Sequence, residues 1–371
     1  MRLLIVGNRN HQFIYNYIKH LRGYDNTVKV DVLSYETSSC KYSNDYLYDN
    51  IYYPKVPSFL TKNRYVNYVC RHIKLRKVFR QLGKNKYDYV HIHYVEKPIQ
   101  DNVNLFTEIF KGKIITSVWG SDFFKRSDMN RMRIKKLFLK SEKIAFTSDK
   151  FASEFCKFYQ TEEITKKICK FKLGLEPLEY LEAVERNDHN FNVMIGYNAR
   201  HNQCHLEILD SIKRESYPRD DLQLLVPLTY PRDDVQYRSS IKNKLLNVGI
   251  PYIIYEDFMS DSEVAILRKN TDVFIQLQKS DVMSGAMMEH IAAGTVVITG
   301  SWLPYDDLYE MGIQLVTISD RSQIGETLAE VIGNFNHYKS IAQSNSSIIL
   351  KNFKWDCIIP ESIKVYDKTN S

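Results

Sequence analysis

Long apolar runs are missing from this chain of 371 residues. None approaches the roughly 18 residues that a membrane-spanning helix requires. Cysteine is scarce and scattered: the six residues, Cys40, Cys70, Cys156, Cys169, Cys204 and Cys357, include no C-x-x-C pair. That spacing argues against a disulfide framework and a structural zinc site, and a reducing cytoplasm fits it. The acidic doublets at 220–221, 233–234 and 306–307 are adjacent rather than D-x-D, so a metal-bound diphosphate is not invoked. No G-x-G-x-x-G, sequence repeat or low-complexity tract is present. The apolar run in MRLLIVGNRNH is too short for a signal peptide and reads as a first strand.

What the chain does have is length and lopsided charge. Its 371 residues suggest two domains, and a hydrophobic content of 44% is enough for ordinary cores. The net charge of +7 conceals a split. Residues 1–175 carry 33 Lys and Arg against 16 Asp and Glu, whereas residues 176–371 carry 18 against 28. A basic half and an acidic half imply different partners.

Strand-like and helix-like runs alternate. RLLIVG (2–7), VKVDVLSY (28–35), YDYVHIHYV (87–95), KIITSVWG (113–120) and KIAFTSD (143–149) read as strands, with helices from His11 to Leu21 and near 62–83. The acidic stretch after Gly174 breaks the pattern. A second alternation follows: FNVMIGYN (191–198), LQLLVPLTY (222–230), IPYIIYED (250–257), TDVFIQL (271–277) and TVVIT (295–299), with helices between them and a last strand–helix pair near 313–335. Such alternation specifies α/β structure with parallel sheets. The expected arrangement is a Rossmann-like domain over 1–173, a linker over 174–190, a second Rossmann-like domain over 191–352, and a segment 353–371 returning to the first. Ligands bind at the carboxyl ends of strands in such sheets, so a cleft between the two domains is the expected site.

The stretch SDVMSGAMMEHIAAGTVVIT (280–299) carries the most chemistry. Ser284, Gly285 and Ala286 open a probable helix whose free N–H groups and positive dipole end suit a phosphate. Glu289, one turn further, can accept hydrogen bonds from a ribose diol, and Asp281 lies nearer whatever is attached to the diphosphate. A surface acid beside a helix cap is the plain alternative.

This stretch resembles the sugar-donor motif of GT-B glycosyltransferases, especially the retaining E-x7-E family. Asp281 stands where the first glutamate is usual, Glu289 is the second, and Ala293, Gly294, Val297 and Ile298 match the tail. The resemblance implies a GT-B fold, a metal-independent reaction, Glu289 on the ribose and Asp281 on the transferred sugar. IGYNARHNQCHLEIL (195–209) is similar to the start of the same families' second domain. Gly196, Asn198 and Arg200 are thereby implied at the diphosphate. The usual second cation, a lysine, is replaced by Gln203 or His205, with Lys279 as a substitute. TSVWGSDFF (116–124) and VPLTYPRDDVQY (226–237) are similar to bacterial TDP-4-acetamido-4,6-dideoxygalactose transferases of enterobacterial common antigen synthesis, which invert. Asp122 is then an acceptor base, an orienter of hydroxyls, or a simple turn and helix cap. His91 and His93 alternate onto one face, where structural roles outweigh a metal pair. Gly7 and Arg9, after the first strand, are modest phosphate candidates. Together these imply transfer from a nucleoside-diphosphate sugar, a UDP-sugar favoured, to a lipid-linked or polysaccharide acceptor of bacterial surface polysaccharide. An inverting TDP-sugar transferase and a non-catalytic nucleotide- or glycan-binding protein of the same fold are the alternatives.

The basic half offers one more expectation. In residues 62–86, Val66, Val69, Ile73, Val78 and Phe79 form an apolar stripe among Lys62, Arg64, Arg71, Lys74, Arg76, Lys77 and Arg80. KRSDMNRMRIKKLFLK (125–140) has the same character. No nucleic-acid motif accompanies either cluster; a solvated face packing its stripe into the domain core is the plain alternative, and the reading favoured is attachment to the anionic cytoplasmic membrane face.

Overall fold

Short strands buried on both faces determine both sheets. The computed structural model describes residues 1–35, 45–279 and 284–367. These form two compact units, one of Met1–Gly174 joined by the chain from Trp355 onward, the other of Leu175–Lys354.

The first unit holds a seven-stranded sheet of β1 (Arg2–Val6), β2 (Lys29–Leu33), β3 (Asn50–Tyr52), β4 (Tyr89–His93), β5 (Ile114–Ser117), β6 (Lys143–Phe146) and β7 (Ile168–Lys170). Its order is β3-β2-β1-β4-β5-β6-β7, with every pairing parallel. Leu3, Leu4, Ile5 and Val6 are all fully buried, as a strand covered by helices on both sides requires. Asp31, buried on β2, is neutralised by Arg2 at 3.0 Å and accepts from Tyr87 Oη at 2.6 Å and Asn50 Nδ2 at 2.8 Å. The returning segment supplies the helix Trp355–Ser362 and the turn Ile363–Tyr366. Trp355 is fully buried, stacked on His20 at 4.7 Å and fitted against Gly174, where a Cβ would lie 2.5 Å from its indole.

The second unit holds β8 (Phe191–Ile195), β9 (Leu222–Pro227), β10 (Tyr252–Tyr255), β11 (Val273–Gln276), β12 (Val296–Gly300) and β13 (Val316–Ile318). Their order is β10-β9-β8-β11-β12-β13, again all parallel. In each unit the strand order reverses beside the first strand, between β1 and β4 and between β8 and β11. Loops leaving those carboxyl ends are where such a sheet holds a ligand.

Several expectations change in detail. Residues 174–190 are not a free linker: Leu175, Leu178 and Leu181 are buried in the second unit's core around the short helix Pro177–Tyr180. β3 and β7, three residues each, were not anticipated. The basic helix runs Arg64–Leu82, capped by Asn63 Oδ1 on the N–H groups of Tyr65 and Val66. It packs through Leu75, Phe79 and Leu82, while Val66, Val69 and Ile73 of the expected stripe are exposed.

Candidate functional site

In the second unit, the helix Gly285–Ala292 follows β11. Ser284 caps it, its Oγ accepting from Met287 N at 3.3 Å and from Gln276 Nε2 at 3.3 Å. Gly285 and Ala286 are half-buried, as a helix start open to a ligand would be. Glu289 lies one turn along, its side chain only 12% exposed. Its Oε2 accepts from Arg268 Nε at 3.1 Å and Nη2 at 2.9 Å. Its Oε1 is turned toward the helix start, 3.7 Å from where a Cβ on Gly285 would stand. Asp281 lies outside the described residues.

The loop after β8 is built around a close approach. Gly196 has φ +60, and a Cβ there would lie 2.9 Å from His205 Nε2 and 3.1 Å from Gln203 Oε1. Asn198 is buried and engaged by its own loop and the one after β9, accepting from Arg200 N at 3.0 Å and donating to Tyr230 Oη at 3.4 Å. Arg200 is exposed, with no side-chain hydrogen bond or ion pair among the described residues. The turn it begins is tied to the loop after β11: Lys279 N donates to Asn202 Oδ1 at 3.1 Å, and Asn202 Nδ2 donates to Gln278 Oε1. The structure thus brings the Arg200 turn and Lys279 together, both side chains exposed. Gln203 and His205 serve differently. Gln203 Oε1 accepts from Tyr197 N at 3.2 Å, and burial drives the His205 pKa down to about 3, so neither supplies a cation.

In the first unit, Gly7 is packed tightly after β1, where a Cβ would lie 2.9 Å from His93 O. Arg9 is half-buried beside Ser34. His11 caps the helix Gln12–Tyr24 and meets the Trp119 ring edge-on at 5.0 Å. Asp122 is almost wholly buried, and that burial pushes its pKa up to about 6. Its Oδ2 accepts from Val95 N and its Oδ1 from Trp119 N, both at 2.9 Å. Both oxygens therefore clamp the loops leaving β4 and β5. His91 bonds Tyr366 Oη at 2.8 Å and Ser117 Oγ at 2.7 Å, with the His93 ring 4.0 Å away. Burial forces both histidines toward the neutral form, His93 to about 3. No group of three or more His, Cys, Asp or Glu able to hold a metal occurs among the described residues.

Arg268 went unnoticed in the sequence. It lies 21 positions before Glu289 on the separate helix Asp261–Asn270, and no local period links them. The signal available was an arginine next to the apolar residues Ala265 and Leu267 of that helix.

Residues 2–148 match the family model described as Glycosyl transferase 4-like. No curated protein sequence matches the chain significantly. Among solved structures, a glycosyltransferase from Rickettsia africae is similar with a TM-score of 0.75 and 13% identity, over 100% of this chain and 99% of the other. The Anabaena protein HepE in complex with UDP superposes with a TM-score of 0.73 and 10% identity, over 97% and 98%. A UDP-forming trehalose-phosphate synthase from Burkholderia xenovorans gives 0.69 and 12%, over 100% and 99%. The chain has the two-domain GT-B fold, and the family match supports a glycosyltransferase.

Proposed function

We propose that this protein transfers a sugar from a nucleoside diphosphate, a UDP-sugar foremost, to a lipid-linked or polysaccharide acceptor in bacterial surface polysaccharide synthesis. One observation carries the reading: Glu289 presents a fixed carboxylate oxygen to the start of the helix Gly285–Ala292. Exposed cations, Arg200 and Lys279, come from the two loops that flank the strand-order reversal. That is the arrangement a ribose and a diphosphate need together: a hydroxyl acceptor, free N–H groups at a helix start, and positive charge. The two cations and the helix start stabilise the leaving diphosphate as its charge develops. The HepE complex with UDP and the UDP-forming Burkholderia enzyme favour uracil as the base.

Retention is the proposed outcome, from the eight-residue spacing of Asp281 and Glu289. The sugar then leaves and is attacked on the same face, with Asp281 orienting it. An anionic membrane, met by the basic first unit at the cytoplasmic face, brings the enzyme to a lipid-linked acceptor. The exposed Val66, Val69 and Ile73 on a helix rich in Lys and Arg support this.

Thermal shift against UDP, GDP, TDP and CMP tests the site. Wild-type protein is expected to be stabilised by one diphosphate, by about 2.7 kcal/mol at a ligand concentration of 100 Kd. Glu289→Gln is expected to lose most of that shift; alanine is avoided because it leaves Arg268 buried and unpaired. Stabilisation by none of the four, or a variant shift equal to wild type, refutes the assignment.

A further inference from the structure

Arg268 lies in the last turn of the helix Asp261–Asn270 and is 5% exposed. A guanidinium commonly meets a carboxylate with two nitrogens on two oxygens. Here Nε and Nη2 converge on one oxygen, Glu289 Oε2, at 3.1 and 2.9 Å. The third nitrogen, Nη1, faces Met194 Sδ at 3.7 Å. The other carboxylate oxygen, Oε1, takes no hydrogen bond from the described residues and is the one turned toward Gly285. The pair is almost dry, with side chains 6% and 12% exposed.

We propose that Arg268 is a positioning residue that makes Glu289 a reader of the ribose diol, so that this site selects ribonucleoside diphosphates over their deoxy counterparts. The inference rests on the nucleotide-site reading above and deepens it. Held through one oxygen on a buried cation, the carboxylate cannot turn its second oxygen away. Oε1 then keeps its full capacity to accept from the 2′- and 3′-hydroxyls. A nucleotide lacking those hydroxyls buries Oε1 without a hydrogen-bond partner, and a polar site rejects such an analogue more strongly than an apolar one would. Lysine at 268 keeps the charge but, as a point charge on a flexible stem, does not fix the carboxylate's orientation. A deoxythymidine-diphosphate sugar, which keeps the 3′-hydroxyl and lacks the 2′-hydroxyl, offers Oε1 one donor in place of two.

The test is isothermal titration of wild type and Arg268→Lys with UDP, GDP and ADP, each beside its 2′,3′-dideoxy analogue. Wild type is expected to bind at least one ribonucleotide about tenfold more tightly than its dideoxy form. The lysine variant is expected to bind both forms within about twofold of the wild-type dideoxy affinity. A variant that keeps the wild-type ratio overturns the inference. So does an equal loss on both forms, which marks a merely structural role. If Arg268→Lys does not fold, Glu289→Gln replaces it, and an unchanged ratio there overturns the inference equally. Binding by wild type without ribose preference overturns this inference alone. Binding of none of the diphosphates refutes the nucleotide site beneath it.

Discussion

Asp122 shows how one side chain joins two loops. Its carboxylate bridges Val95 N and Trp119 N, so removing it leaves two backbone N–H groups without their acceptor. Asp122→Ala is expected to lower the stability of the first unit by about 2–4 kcal/mol, and Asp122→Asn by less because an amide keeps one acceptor oxygen. Urea unfolding of the two variants checks this; equal losses would deny that the acceptor oxygen kept by asparagine stabilises on its own. An acid in a W-G-x-D-F run at the end of a strand is placed like a base, and the fold adds that each of its oxygens accepts a backbone N–H.

At the scale of elements, what was legible follows from burial. Strands covered on both faces read as apolar runs, so β1, β2, β4, β5, β6, β8, β9, β11 and β12 stand out as continuous stretches, and β10, a half-buried edge strand, is legible through its own apolar run. β3 and β7 are three-residue edge strands, half-buried or exposed, and hold their places through backbone pairing that leaves no pattern in side chains. The helix Gly285–Ala292 was readable because its cap, its glycine and Glu289 are near neighbours in sequence. Arg268 was not, because it reaches Glu289 from another helix. The helix Arg64–Leu82 misleads differently. Its valines and isoleucine have the spacing of a packed face, yet the packed face is Leu75, Phe79 and Leu82, and the upper half is left bare. Tyr65 is 80% and Ile73 50% exposed, with Phe59 of the preceding turn at 70%. Sedimentation with anionic liposomes, reversed by high salt, is expected for the whole protein. Replacing Phe59, Val66 and Ile73 together with serine is expected to weaken it at least about tenfold, since each buried apolar side chain contributes about 1.5–3 kcal/mol. Equal binding to neutral liposomes, or none to anionic ones, would deny the surface that role.

Over the whole molecule, buried histidines set the response to acid. His91, His93, His205 and His290 are all held below their usual pKa by burial, His93 and His205 at about 3. Above the ordinary histidine pKa near 6.5, both folded and unfolded chains are neutral there and nothing is lost. As pH falls below that value, the unfolded chain takes up protons that the folded chain refuses, so stability drops. Each of the two histidines near 3 accounts for about 2 kcal/mol of loss by pH 5. Asp122 acts in the opposite sense: its folded pKa of about 6 lies above the usual 3.8, so its contribution is lost as pH rises through that window. One carboxyl against four histidines leaves the net sign with the histidines. The urea midpoint is expected to be clearly lower at pH 5 than at pH 7, and a flat or rising profile would contradict it.

The first unit is also made from two distant parts of the chain, while the second is continuous from Leu175 to Lys354. Trp355, Ile358, Ile359 and Tyr366 fill the same core as Leu3, Ile5 and Val30. On a ribosome, the residues made first therefore wait for residues made more than 300 positions later before their core can close. The unit begun second is the one able to finish first. Until then Tyr17, buried with its hydroxyl on Tyr366 in the mature fold, belongs to an open core, exposed to chaperones and proteases while the second unit is being made.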